Sequence, residues 1–228
     1  MKIFATLLTL LALSAHAQQP VTWRFDNLAG IGGAHATTVG APTLVSTDIG
    51  KAIHFNGQPH SGDALFLDSV PLAGDTAYTF EVIFRPSSKG VPEQRFFHLQ
   101  ENGSESRRMF EIRIVDNHWC LDAVAIDMGG NKPQTHAVIL NCDATHLHSL
   151  DTWFAVAATY DGATLRAYVD GELQGEAKAV LTPLSPGQTS VGTRIDKRDF
   201  FTGDVYSARF TPRVLPASEF LHSPAPSK

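Results

Sequence analysis

The chain has 228 residues, of which 43% are hydrophobic and 18% are charged, and its formal net charge at pH 7 is −5. This length suits one all-β domain or two smaller domains. Lysine and arginine residues form no basic patch along the sequence. This distribution argues against nucleic acid or an anionic membrane surface as the partner.

The first residues have the pattern of a secretory signal peptide. Lys2 precedes an apolar run over residues 3–13, and Ala15 and Ala17 supply the small residues that a signal peptidase reads. The apolar run is too short to span a bilayer, which takes roughly 20 residues. We therefore expect cleavage after Ala17 and a secreted or periplasmic product without a membrane span.

The rest of the chain has the pattern of an all-β protein. Short alternating runs of apolar and polar residues are separated by Gly, Pro, Asn and Asp, and helical periodicity is almost absent. Asp-Gly pairs at 161–162 and 170–171 predict tight turns. In chain order, the predicted strands are 21–26, 51–55, 64–67, 78–84, 95–100, 109–115, 119–126, 135–142, 153–160, 164–169, 189–192 and 204–211.

No linker-like segment and no internal repeat divides these strands. We therefore expect residues 18–222 to form a single antiparallel β-sandwich or jelly roll, with one helical turn within 212–220. Residues 223–228 are expected to form a flexible tail.

Two cysteines, Cys120 and Cys142, lie at equal distances from Asn131. Residues 129–133 read Gly-Gly-Asn-Lys-Pro, which is a turn sequence. A hairpin folded there would place the cysteines opposite each other, within bridging distance if the register is regular. An even cysteine count in an exported protein predicts a disulfide. The alternative is a pair of buried free thiols.

The C-terminal half carries the most specific motifs, and two earlier segments accompany them. Each later motif combines an apolar strand with a glycine at its end or centre. The segments are WFAVAATYDG at 153–162, LRAYVDG at 165–171, SVGT at 190–193 and FFTGDV at 200–205, with IHFNG at 53–57 and YTFEVIFRP at 78–86 before them.

In this order, the segments resemble the laminin G-like modules of the concanavalin A-like lectin/glucanase superfamily. The resemblance covers residues 21–220 and implies an antiparallel jelly roll. It does not choose an activity, because the superfamily includes lectins, adhesion modules, glycosidases and lyases. Many such modules bind calcium through loop acids, so calcium is a candidate cofactor without assigned ligands. The loop or strand-end candidates are Asp26, Asn27, Asp48, Asp63 and Asp204.

The segment that corresponds to the catalytic strand of glucanases is FEIRIVD at 110–116. Those enzymes place two or three acids on this strand, because glycoside hydrolysis normally needs two carboxylates. Here Glu111 is present, but Arg113 stands at the position of the second acid, with Val115 or Asp116 at the third. The usual two-carboxylate mechanism is therefore disfavoured, and no G-x-S-x-G motif indicates a nucleophilic serine.

Polar residues that alternate with core residues predict a ligand-binding patch on the concave sheet face. Arg, Glu, Gln and His side chains there would hydrogen-bond sugar hydroxyls or carboxylates. The alternative is a solvated sheet face with weak Glu–Arg pairs. The face of Asp122 is ambiguous, because turning Cys120 inward would also turn Asp122 inward unless a bulge intervenes. The candidate binding residues are Glu81, Arg85, His98, Gln100, Glu111, Arg113 and Asp122.

These observations favour an exported, non-catalytic module whose partner is a glycan or an extracellular protein. One alternative is a polysaccharide hydrolase or lyase that uses the surface of Glu81, His98, Glu111 and Arg113. It would require a second carboxylate roughly 5–10 Å from Glu111 in an open cleft. A further alternative is a structural or oligomerisation domain.

Overall fold

The computed structural model describes residues 19–129 and 132–224. The predicted signal peptide, 1–17, and the last part of the predicted tail, 225–228, lie outside the described residues. Among the described residues, no helix is long and apolar enough to cross a membrane.

The described residues form seventeen strands and one short 3-10 turn, Ala217–Glu219. The strands are β1 (Val21–Arg24), β2 (Gly30–Ile31), β3 (Ala34–Val39), β4 (Thr43–Thr47), β5 (Gly50–Phe55), β6 (Ala64–Leu67), β7 (Tyr78–Pro86), β8 (Glu93–Glu101), β9 (Arg107–Val115), β10 (His118–Gly129), β11 (Lys132–Leu140), β12 (His148–Ser149), β13 (Phe154–Tyr160), β14 (Thr164–Val169), β15 (Glu172–Lys178), β16 (Gly187–Val191) and β17 (Gly203–Thr211).

The strands form two sheets, and all of their pairings are antiparallel. The eight-stranded sheet has the order β15-β14-β13-β7-β17-β5-β4, with β1 also paired to β17. The nine-stranded sheet has the order β11-β10-β9-β8-β16-β6-β3-β2, with β12 also paired to β10. The predicted antiparallel β-sandwich is confirmed.

Aromatic side chains fill the space between the two sheets. Phe84 of the eight-stranded sheet stacks on Phe96 of the nine-stranded sheet with ring centroids 4.3 Å apart, and Phe80 stacks on Phe110 at 4.5 Å. Side chains alternate along a strand. The residues that follow these core aromatics, such as Glu81 after Phe80 and Glu111 after Phe110, therefore point to the outer face of each sheet. The candidate binding residues therefore lie on outer faces.

The predicted hairpin around 129–133 exists as the β10–β11 pair, although residues 130 and 131 lie outside the described residues. Cys120 and Cys142 form the predicted disulfide, with their Cα atoms 5.1 Å apart. Cys120 pairs with Arg113 and Asp122 pairs with Glu111, in an unbroken register between β10 and β9. Side chains directly opposite each other share a face, so Cys120 and Asp122 both point outward. The alternative in which both turn inward is wrong.

Candidate functional site

The seven candidate binding residues do not share one surface. Glu81 and Arg85 lie on β7 of the eight-stranded sheet, whereas the other five lie on β8, β9 and β10 of the nine-stranded sheet. The prediction of a single charged patch is therefore wrong. Alternation along a strand shows which residues share a face, but it does not show which sheet the strand joins.

Glu81 anchors the C-terminal segment. Its oxygens accept hydrogen bonds from Arg209 Nε at 2.6 Å and Nη2 at 2.8 Å, and from the backbone N–H of Leu221 at 2.6 Å. The side chain is 1% exposed, and Leu215 and Phe220 pack nearby on the same outer face. Glu81 is thus saturated by protein donors in this structure.

Arg85 belongs to a second polar group at the end of the same sheet. Its Nε donates to Asp204 Oδ2 at 2.8 Å, and the other oxygen of Asp204 lies 2.8 Å from His54 Nδ1. The guanidinium carbon of Arg85 lies 4.8 Å from the centroid of the Trp153 ring. Arg85 lines two adjoining surface depressions of about 410 Å³ and 450 Å³.

The acids considered for calcium do not converge. Asp63 accepts from the backbone N–H groups of Ala41 and Asn56, and Asp48 accepts from the indole N–H of Trp153. Across 19–129 and 132–224, no group of three His, Cys, Asp or Glu side chains could hold a metal ion. Among the described residues, these acids therefore supply no shared set of three side-chain ligands for calcium.

The nine-stranded sheet presents a row of charged side chains on its outer face. Arg95, Glu111 and Asp122 lie side by side on β8, β9 and β10. Arg95 Nε is 3.0 Å from Glu111 Oε1, an ion-pair distance at which the N–H lacks hydrogen-bond geometry. In the next row, Glu93 pairs with Arg113, and Arg113 Nη2 lies 3.8 Å from Asp122 Oδ2. We call this outer surface of β8–β10 the polar face.

Sequence reasoning missed Arg95 and Glu93. A register shift between Arg95 and Phe97 breaks the alternation on β8, so that Phe96 and Phe97 are both buried in the core. The two consecutive phenylalanines indicate this register shift in the sequence, because strict alternation would place one of them on the solvent-exposed face.

Asp122 is a buried acid with an incomplete set of hydrogen bonds. The residue is 2% exposed, and its Oδ1 has no hydrogen-bond partner among the described residues. Burial, and next the charge of Glu111, raise the pKa of Asp122 to about 7, against the opposing effect of Arg113. Near neutral pH, Asp122 therefore populates both its protonated and its ionised form and can act as donor or acceptor.

His98 lies on the polar face but beneath a loop. Its Nδ1 accepts the backbone N–H of Ile195 at 3.0 Å, while its Nε2 has no partner among the described residues. Burial, together with the charges of Arg107 and Arg194, holds the pKa of His98 well below its ordinary value. His98 is therefore a neutral imidazole. Gln100 lies beside it and donates to Ser104 O at 2.6 Å.

Unpaired buried atoms concentrate on this face. Within the described residues, eight buried side-chain nitrogen and oxygen atoms have no hydrogen-bond partner, and five of them belong to β8–β10 on the outer side. An unpaired buried polar group typically costs about 1–3 kcal/mol, so such a concentration indicates a surface that has polar capacity to spare. The five atoms are Arg95 Nε, His98 Nε2, Arg107 Nε, Arg113 Nε and Asp122 Oδ1. Arg95 Nε lies at ion-pair distance from Glu111 and His98 lies beside Gln100, so the spare capacity rests on the last three atoms.

A family model of the laminin G type, described as the concanavalin A-like lectin/glucanases superfamily, matches residues 59–220. The chain belongs to this family. The predicted resemblance is thereby confirmed. A comparison with curated proteins found no match.

Solved structures with the same fold as this laminin G family member are distant in sequence. Domain 4 of AbnA, an extracellular arabinanase from Geobacillus stearothermophilus in complex with arabinotriose, has a TM-score of 0.59 at 16% identity; the alignment covers 87% of this chain and 94% of that domain. The binding domain of botulinum neurotoxin DC, in complex with rat synaptotagmin II, has a TM-score of 0.59 at 12% identity, with coverages of 88% and 49%.

Botulinum neurotoxin type C enters cells in dependence on two ganglioside molecules. Its structure has a TM-score of 0.58 at 11% identity, with the same coverages of 88% and 49%. This chain therefore spans about half the length of the toxin structures. At these identities, the similarity shows the fold alone.

The motif residues of this laminin G family member are structural. Trp153 is buried and donates its indole N–H to Asp48. The Tyr160 hydroxyl donates to Ala179 O at 3.2 Å and accepts the N–H of Leu181 at 2.8 Å. The motifs that identify the family therefore support the sandwich, and the polar face is formed by other residues.

Proposed function

We propose that this chain is an exported, non-catalytic binding module that recognises a carbohydrate through the polar face. The observation that carries the proposal is the concentration of buried polar atoms without a hydrogen bond on β8–β10, above all Arg107 Nε, Arg113 Nε and Asp122 Oδ1. Sugar hydroxyls both donate and accept hydrogen bonds, so they complement a surface that has spare donors on its arginines and a spare acceptor on Asp122. Export is supported by the Cys120–Cys142 disulfide, because such bonds persist in oxidising compartments.

Arg113 controls access to this surface. Its side chain is 31% exposed and is paired with Glu93, whose side chain is 52% exposed. An exposed pair of this kind contributes about 0–1 kcal/mol, so a ligand can displace Arg113 from Glu93 at little cost. The displaced guanidinium would then bind the sugar, and its movement would uncover Asp122.

The structural relatives are consistent with a carbohydrate ligand. The arabinanase domain was solved with arabinotriose, and the botulinum type C toxin uses gangliosides. Other toxin binding domains of this fold bind a protein, synaptotagmin II. We favour the glycan for this chain, because the polar face combines positive and negative groups.

One observation favours an enzyme as the second candidate. Glu111 and Asp122 form a pair of neighbouring carboxyl groups, and the raised pKa of Asp122 is the property that a general acid needs. The two residues are only 5% and 2% exposed, however. A glycosidic bond could reach them only after Arg113 moved away, so binding is the function that this geometry supports best.

A glycan array tests the proposal. We expect the wild-type protein to be retained on one polysaccharide class, and Arg113→Ala to weaken retention at least about tenfold, the loss of one charge-assisted contact. Arg213→Ala is the matched control, since Arg213 forms an exposed ion pair outside the polar face. It should leave retention unchanged.

Two outcomes would contradict the proposal. One is the absence of retention on every glycan by folded wild-type protein. The other is full retention by both Arg113→Ala and Arg95→Ala. Products released from the retained polysaccharide, and their loss in Asp122→Asn, would instead support the enzyme.

A further inference from the structure

Strand β4 ends the eight-stranded sheet and has an unprotected edge. It pairs with β5 on one side, and no described strand pairs with its other side. Its sequence, Thr-Leu-Val-Ser-Thr, contains neither a charged residue nor proline. A strand edge without such protection is a template for pairing with another chain.

The strands at the other ends of the two main strand orders are protected, and the two further described strands that pair on one side only, β1 and β12, are short, with Arg24 in β1. β15 carries two glutamates and a lysine, and β11 begins with Lys132 and Pro133. β2 has only two residues. Charges, proline and short length are the usual devices that prevent edge pairing, and β4 has none of them.

The side chains of β4 are divided between the two faces of the sheet. Leu44 lies opposite Ile53, which belongs to the core between the sheets, so Leu44 points to the inner face. It is nevertheless 43% exposed, because the sheet ends there. Val45 lies opposite Ala52 and packs on the outer apolar cluster that contains Ile83.

Strand β4 is complementary to β4 of a second copy of the chain when the two strands pair antiparallel with Val45 at the centre. Val45 would then lie opposite the partner's Val45, with threonines opposite each other at both ends of the strand. On the inner face, Leu44 would lie opposite the partner's Ser46 and diagonal to the partner's Leu44. β-branched pairs and Thr–Thr pairs are favourable across strands, and no like charges meet.

We propose that β4 is a homodimer interface, through which two copies of this chain join their eight-stranded sheets by antiparallel β4–β4 pairing. The proposal is independent of the carbohydrate site, since β4 and the polar face belong to different sheets. Pro42 cannot donate a hydrogen bond and lies directly before Thr43, so the ladder is limited to five residues. Such a small contact predicts a weak dimer, with a dissociation constant above about 1 μM.

Sedimentation equilibrium on the full protein tests this interface. We expect the average mass to rise from one chain towards two between about 1 μM and 1 mM. Leu44→Lys places two like charges near the two-fold axis and should raise the dissociation constant at least about tenfold. Leu173→Lys is the matched control, because Leu173 is 48% exposed on β15, at the other end of the same sheet. It should leave the dissociation constant unchanged.

Hydrogen exchange locates the contact. The backbone amides of residues 43–47 should exchange more slowly at high protein concentration than in dilute solution, and this difference should vanish in Leu44→Lys. A wild-type protein that stays monomeric at about 1 mM would overturn the proposal. So would a dimer that Leu44→Lys leaves intact, or one in which residues 43–47 gain no protection.

Discussion

Glu111 and Asp122 lie directly opposite each other on β9 and β10, and both are almost completely buried on the polar face. Arg95 contacts Glu111 from the neighbouring strand, and Arg113, two residues after Glu111 on β9, lies 3.8 Å from Asp122. Two carboxyl groups this close do not both ionise readily, because their like charges repel at short range. The pKa of Asp122, raised to about 7, reflects its burial first and the charge of Glu111 second.

Asp122→Asn should change how stability depends on pH. Because the pKa of Asp122 rises from 3.8 to about 7 on folding, the folded state holds this proton more tightly than the unfolded state. That stabilisation is complete below pH 3.8 and is lost as the pH rises through about 7. From pH 4 to 8, the free energy of unfolding of wild-type protein should fall relative to Asp122→Asn by on the order of 4 kcal/mol. Urea unfolding at several pH values measures the difference, and parallel profiles would contradict it.

Removal of the disulfide should destabilise the protein substantially. Cys120 and Cys142 are 22 residues apart in sequence, and closing a loop of this length stabilises a protein by about 3 kcal/mol in the chain-entropy model. The double variant Cys120→Ala/Cys142→Ala should therefore unfold at a lower urea concentration. Wild-type protein treated with reductant should match it. Equal midpoints for oxidised wild type and the double variant would contradict a stabilising role.

The turn between β9 and β10 is a sequence signal that predicts the strand register of the polar face. Asp116 and Asn117 have φ values of 47° and 59° and form the two-residue turn between β9 and β10. Residues that tolerate positive φ are a hairpin signal at this position. A turn there fixes the register that places Asp122 opposite Glu111.

Two other features were beyond sequence reasoning. The sheet to which β7 belongs depends on long-range pairing with β13 and β17, so Glu81 could not be separated from Glu111 by local pattern. β4 was missed because an edge strand has little buried surface, which leaves its hydrophobic alternation weak.

Glu81→Ala should release the C-terminal segment. The change removes the carboxylate of a bidentate pair and leaves Arg209, whose side chain is 23% exposed, without its partner. Breaking a buried pair in this way typically costs about 3–5 kcal/mol. The backbone N–H of Leu221 also loses its acceptor, so the amides of residues 217–221 should exchange faster with solvent.

The control for Glu81→Ala is Arg213→Ala. Arg213 pairs with Glu219 in the same segment, but both side chains are about half exposed, so the loss should be below about 1 kcal/mol. If both variants cost the same, Glu81 does not have the anchoring role that its contacts indicate.

His54 should make the junction between β5 and β17 sensitive to pH. Its Nδ1 contacts Asp204, and its Nε2 lies 3.3 Å from Asn56 Oδ1. The Asn56 amide nitrogen donates to Asp63, so the oxygen is the atom that faces the imidazole. Two acceptors, one at each ring nitrogen, favour the imidazolium. In agreement, the hydrogen bond to Asp204 raises the pKa of His54 above 6.5, against the opposing effect of burial.

The stabilisation from this pair should be complete below pH 6.5 and be lost as the pH rises through the folded-state pKa of His54. His54→Phe keeps an aromatic ring but cannot carry the charge. The difference in melting temperature between wild type and His54→Phe should therefore be largest near pH 5.5 and shrink towards pH 8.5, since histidine titrates within this range. An NMR titration of the His54 ring gives its pKa directly. A value below 6.5, or a melting-temperature difference that does not vary with pH, would show that Asp204 does not hold His54 in its charged form.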